Sequence, residues 1–124
     1  MSGIPSGNGT EVLKRVYMHN LTNTVQTLIT AANNHIYTVI SIVYCEVGAD
    51  SSNGIELYID AGENDVTGSG SQDIYLLNEQ PLGARETFVF NDKIVLTGGD
   101  ALKTRISTTA NVDVLCTFIH QDWS

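Results

Sequence analysis

Apolar residues recur at every second position through residues 87–120 of this chain (TFVFNDKIVLTGGDALKTRISTTANVDVLCTFIH). Phe88/Phe90, Leu102/Ile106 and Val112/Val114/Cys116/Phe118 set the rhythm. Period two belongs to β-strands, whose side chains alternate between faces. The breaks are turn formers: Asn91-Asp92, Gly98-Gly99-Asp100 and Thr109-Ala110-Asn111. The segment therefore predicts a packed antiparallel meander, and it holds no residue set that a reaction would require.

Upstream, residues 25–30 predict a short strand that ends in an Ala31-Ala32-Asn33-Asn34 turn. Residues 35–47 predict the longest strand, with Ile36, Ile40, Ile42 and Tyr44 on one face and Tyr37, Val39, Val43, Cys45 and Val47 on the other. Residues 55–60 alternate cleanly: Ile55, Leu57 and Ile59 inward, Glu56, Tyr58 and Asp60 outward. A strand over 74–77 follows, with a turn at Pro81-Leu82-Gly83. Residues 11–19 (EVLKRVYMH) fit a strand or a short helix, and their Val and Tyr content favours the strand. Eight or nine short strands at this spacing predict an all-β fold, a single antiparallel β-sandwich over residues 11–124, of jelly-roll type in its narrowest form. Residues 1–10 are rich in Gly, Ser and Asn and predict a flexible N-terminal arm.

Two strands depart from a clean inside and outside. Residues 35–47 are apolar on both faces, and residues 112–120 carry Leu115 and Ile119 beside Asp113 and Thr117 on their second face. In a two-sheet sandwich only one face of each strand points into the core. The other is covered by a loop of the same chain or by another subunit. The second option makes Val43, Leu115, Ile119 and Trp123 the candidate subunit interface.

Composition narrows the function. The 124 residues are 42% hydrophobic and only 16% charged, which suits one folded domain. A net charge of −8 with scattered Lys and Arg argues against nucleic acid, whose phosphates need clustered cations. The longest apolar run, residues 36–47, is too short and too interrupted to span a membrane. The opening MSGIPSGNGT has neither a basic start nor an apolar stretch, so no secretion leader is expected and synthesis in a cytoplasm is. Cys45 and Cys116 then read as free thiols rather than a disulfide, unless their strands prove adjacent.

Candidate chemistry is thin. His19, His35 and His120 lie at strand ends, and no nucleophile elbow accompanies them. No Cys/His pair has zinc-finger spacing. Asp60, Glu63, Asp65 and Asp73 frame a Gly-rich loop and could offer oxygens to calcium, but an acidic loop is more simply solvated. No catalytic residue, cofactor or metal is expected. Among the tyrosines, Tyr58 is the one placed outward, so the exposed aromatic platform that sugar binding wants is poorly supplied, and core or interface packing is expected for the set.

Several stretches together resemble a type of small bacteriophage virion protein. They are TLITAANNHIYTVISIVYCEV (27–47), GIELYID (54–60), ETFVFNDKIVLTGGDALKTRIS (86–107) and NVDVLCTFI (111–119). The shared features are a threonine-rich opening strand, a long strand ending near Cys or Asn, and a Leu-x-x-Gly-Asp-x-Leu turn. Leu96 to Leu102 (LTGGDAL) match that turn. The resemblance covers about residues 25–120. It implies a capsid decoration (cement) protein, or a small fibre component, on the outer surface of the virion. Such proteins are commonly homotrimers seated where subunits of the major capsid protein meet, and here the arm, through Ile4 and Pro5, would lap onto the shell. The competing expectation is a tail-fibre adhesin that presents loops 48–53 and 62–71 to a host glycan or receptor, with a free carbohydrate-binding module behind it.

Overall fold

A computed structural model describes residues 10–49, 53–61, 72–107 and 111–122. They form nine strands: β1 (Thr10–Leu21), β2 (Gln26–Thr30), β3 (His35–Glu46), β4 (Asn53–Ala61), β5 (Gln72–Leu82), β6 (Thr87–Phe90), β7 (Ile94–Thr97), β8 (Ala101–Ile106) and β9 (Val112–Asp122). All pairings are antiparallel. One sheet runs β1-β9-β3 and ends in β6 and β7, which share the far edge of β3; the other runs β2-β8-β4-β5.

The order follows from one folded ribbon. β1 pairs with β9, β2 with β8, β3 with β6 and β7, and β4 with β5, so the pairs nest one inside the next. Rolling that ribbon adds the β3–β9 and β4–β8 ladders and lays one sheet over the other. The result is a β-sandwich with jelly-roll-like wrapping. Of the expected arm, residues 1–9 lie outside the described residues, and Thr10 already opens β1.

The core lies between the sheets and is built by alternation. Val112, Val114, Cys116 and Phe118 of β9 point inward, as their spacing predicts, and Leu102 and Ile106 of β8 face Ile59 and Ile55 of β4. At the centre Thr104 Oγ1 donates to the Glu56 carbonyl (2.7 Å) and accepts from the Tyr44 hydroxyl (2.8 Å). Tyr44 belongs to the other sheet, so this chain of two bonds ties the layers through a core whose Tyr44 and Thr104 are fully buried. Burial drives the Tyr44 phenol far above its ordinary range.

Three expectations need correction. In β3, Val39 pairs with Phe118 but Ser41 pairs with Thr117, so Ile40 is an extra residue. This β-bulge switches the inward phase from Tyr37 and Val39 to Ile42 and Tyr44. The faces drawn by strict alternation therefore mix inside and outside, and much of the double apolarity of this strand is that change of phase. Tyr58 is on the outward side of β4 yet only 8% exposed, because the Tyr75 ring packs over it at 5.0 Å. The strand expected over 74–77 extends through Pro81 to Leu82. Proline is tolerated there because β5 is an edge strand with no ladder on its far side. Its ladder with β4 is irregular, with Glu79 at φ 54°, and the chain turns instead at Gly83–Arg85.

Candidate interaction face

The outward positions of the five-stranded sheet align into rows across the strands. Tyr17 of β1 faces Leu115 of β9, which faces Val43 of β3, which faces Val89 of β6. A second row runs Leu13, Ile119, Thr38 and Val95. Between them lie Arg15, Thr117 and Ser41. Leu13 is 66% exposed, Tyr17 69%, Val95 56%, Val89 49% and Leu115 37%. Large apolar side chains thus stand in solvent in register, across the full width of one sheet. Sequence alone placed Val43, Leu115 and Ile119 on this face; it missed Tyr17, Leu13, Val89 and Val95, whose membership depends on strand order. Trp123, Ile4 and Pro5 lie outside the described residues.

At one end of this face is a concavity of about 410 Å³, bounded by Tyr17, Met18 and His19, by Val43 and Cys45, and by Asp113, Val114 and Leu115. Its rim is fixed by Asp113 Oδ1, which accepts from His19 Nδ1 (2.6 Å) and from the Asn20 backbone N–H (3.1 Å). Asn20 reaches that carboxylate from a left-handed conformation (φ 57°), at the bulge where the β1 ladder shifts between Met18 and Leu21.

The outer face of the other sheet is built differently. Arg105 holds Glu56 with two bonds, Nε to Oε1 (3.2 Å) and Nη2 to Oε2 (2.7 Å). Lys103 Nζ donates to Asp60 Oδ2 (3.0 Å), and that bond pushes the Lys103 ammonium up from its ordinary range. The Tyr58 phenol is likewise pushed up, first by burial and then by the charge of Asp73. These two ion pairs run across the strands of this face, beside which Tyr75 stands 50% exposed. Asp60, one of the four acids considered for calcium, is occupied with Lys103; Glu63 and Asp65 lie outside the described residues. Among the described residues no group of three or more His, Cys, Asp or Glu side chains is placed to hold a metal. Nor is any helix there long and apolar enough to cross a membrane.

Two of the histidines meet, which their positions in sequence did not reveal. Tyr37 faces His120, and His35 faces Asp122, on the adjacent strands β3 and β9. Lys14 Nζ donates to His120 Nδ1 (3.0 Å), which leaves the His120 proton on Nε2, directed at His35 Nδ1 (2.6 Å). His35 Nε2 then faces Asp122 Oδ1 at 3.5 Å. Tyr37 stacks flat on His120, with centroids 4.3 Å apart. Burial, then the charges of Lys14 and His35, hold His120 below the usual imidazole range against the pull of Asp122.

The cysteines also lie on adjacent strands, but on opposite faces. Cys116 pairs with Ile42 on the buried side, while Cys45 pairs with Asp113 on the outer side. Both are free thiols, and burial pushes that of Cys116 up to about 12.

No protein-family model matches this sequence, and no curated protein does. Solved structures share its fold. The VP2 subviral particle of infectious bursal disease virus superimposes on 94% of this chain with a TM-score of 0.53 and 9% identity. This chain spans only 33% of that VP2 chain. A chain of the acid-stable capsid of Helicobacter pylori bacteriophage KHP30 matches over 94% of both chains, with a TM-score of 0.52 and 13% identity. At such identities the likeness is one of fold.

Proposed function

We propose that this chain is a non-enzymatic structural protein of a virus particle. The observation that carries the proposal is the contrast between its two outer faces: one bears two rows of exposed apolar side chains across its full width, the other the Arg105–Glu56 and Lys103–Asp60 pairs with Tyr75 beside them. A protein built this way adheres by one side and meets water with the other. The virion setting is supported by the fold shared with a phage capsid chain that this one matches nearly end to end.

In its finer form the proposal is a capsid decoration protein. It sits on the outer surface of the shell as a homotrimer, binds the major capsid protein and stabilises the lattice, with Ile4 and Pro5 of the arm lapping onto the shell. Repetition over the shell multiplies a modest single-site affinity. Immunogold electron microscopy on particles from cells that express this chain tests it. Gold over the heads supports decoration. Gold confined to tails favours the adhesin, whose recognition surface would be loops 48–53 and 62–71. Unlabelled particles overturn the virion assignment altogether.

A further inference from the structure

We infer that a second copy of this chain packs sheet against sheet on the outer face of the five-stranded sheet. The inference deepens the structural reading above by naming where copies meet, and needs no virus particle to be true.

Charge selects the occupant. The chain carries 14 acidic against 6 basic residues, so two copies repel wherever their acidic surfaces approach. On this face the row positions hold Glu11, Arg15 and Asp113 as their only Asp, Glu, Lys or Arg residues, and Asp113 is bonded by His19. The face is therefore almost neutral on a strongly acidic molecule, which is what contact between identical copies requires. Area agrees. Four strand positions about 4.8 Å apart, by nine residues at about 3.3 Å each, give a flat footprint of about 600 Å². The relief of side chains brings that close to the ~800 Å² each partner buries in a standard interface. Two apolar rows flank a central polar row of Arg15, Thr117 and Ser41, with the His19–Asp113 pair and Glu11 at the rim, and arginine is among the residues that interfaces favour. The other sheet's outer face has no such rows: it carries the Arg105–Glu56 and Lys103–Asp60 pairs, with Tyr75 beside them.

Sedimentation equilibrium of the purified full chain, from about 1 to 100 µM, tests the inference. The wild type is expected to self-associate. Leu115→Lys and, separately, Tyr17→Lys are expected to weaken that association at least about tenfold, as a lysine buried within an interface should. Tyr75→Lys, on the opposite outer face, should leave it unchanged. Thermal melting of each variant confirms that it is folded. A wild type that stays monomeric at 100 µM overturns the inference, as does an oligomer indifferent to both lysines on the five-stranded sheet. Unlabelled virus particles beside a Leu115-sensitive oligomer would remove the virion reading and leave this one standing.

Discussion

Removing one hydroxyl at the centre of the core should cost more than removing its neighbour, and removing both should cost less than removing the first alone. The Tyr44 hydroxyl donates to Thr104 Oγ1, and Thr104 donates onward to the Glu56 carbonyl. Tyr44→Phe deletes a donor and leaves Thr104 still bonded to Glu56, a loss of about 1 kcal/mol. Thr104→Val keeps the shape and the β-branch but strands two partners, the buried Tyr44 O–H and the Glu56 carbonyl. With each orphan worth about 1–3 kcal/mol, that substitution should cost about 3 kcal/mol. In the double variant the phenol is gone and only the carbonyl lacks its partner, so the cost returns to about 1–2 kcal/mol. Urea denaturation of the four proteins measures this directly, and in melting each kcal/mol corresponds to about 3–5 °C for a chain of this size. The decisive observation is the sign of the second step. If adding Tyr44→Phe to Thr104→Val destabilises further, the directional chain of bonds across the core is wrong.

Other consequences can be read with simpler assays. Because the folded chain holds His120 below its ordinary range, the unfolded chain binds that proton more readily; stability should be fully present above about pH 6.5 and decline as the pH falls below it. The groups that face His120 are Lys14, His35, Asp122 and Tyr37, and His120→Gln should flatten the slope of melting temperature between pH 7 and 5. Arg105→Met leaves the Glu56 carboxylate, 8% exposed, without its fork and should cost about 1–3 kcal/mol; Glu56→Gln in the same background should recover part of it. In native protein at pH 8 a thiol reagent should leave Cys116 untouched until denaturant is added; prompt modification would contradict its burial.

Much of this fold was legible because burial and period two coincide. The inward set of β9 and the Gly98–Asp100 turn, with Gly99 at φ 96° and Thr97 N–H bonded to Asp100 Oδ2, are local matters that composition and spacing decide. Features that depend on a partner strand were not. The bulge at Ile40 is defined only against β9, so alternation drawn through β3 alone had to go out of phase. Tyr58 points outward as expected, but the Tyr75 ring covers it because β5 pairs with β4, which neither strand's own pattern reveals. The interaction face shows the same division: Leu115 and Ile119 declared themselves by breaking a pattern, while Tyr17 and Val89 joined them only once β1 and β6 took their places. His35 and His120 lie far apart in sequence and meet only because β3 and β9 are neighbours.

The position of β9 has a consequence for how the molecule is made. It is the last of the described strands in sequence, yet it lies between β1 and β3 and supplies a ladder to each. Until β9 has been made, β1 has no ladder partner and nothing holds it near β3. That sheet cannot close until Asp122 has been synthesised and can meet Thr10. Chains dominated by such distant pairings fold in about milliseconds to seconds, and a half-made intermediate with open edges is the species that aggregates. The nested ribbon thus makes closure of this sheet wait for its ninth strand, whatever the order in which the other ladders form.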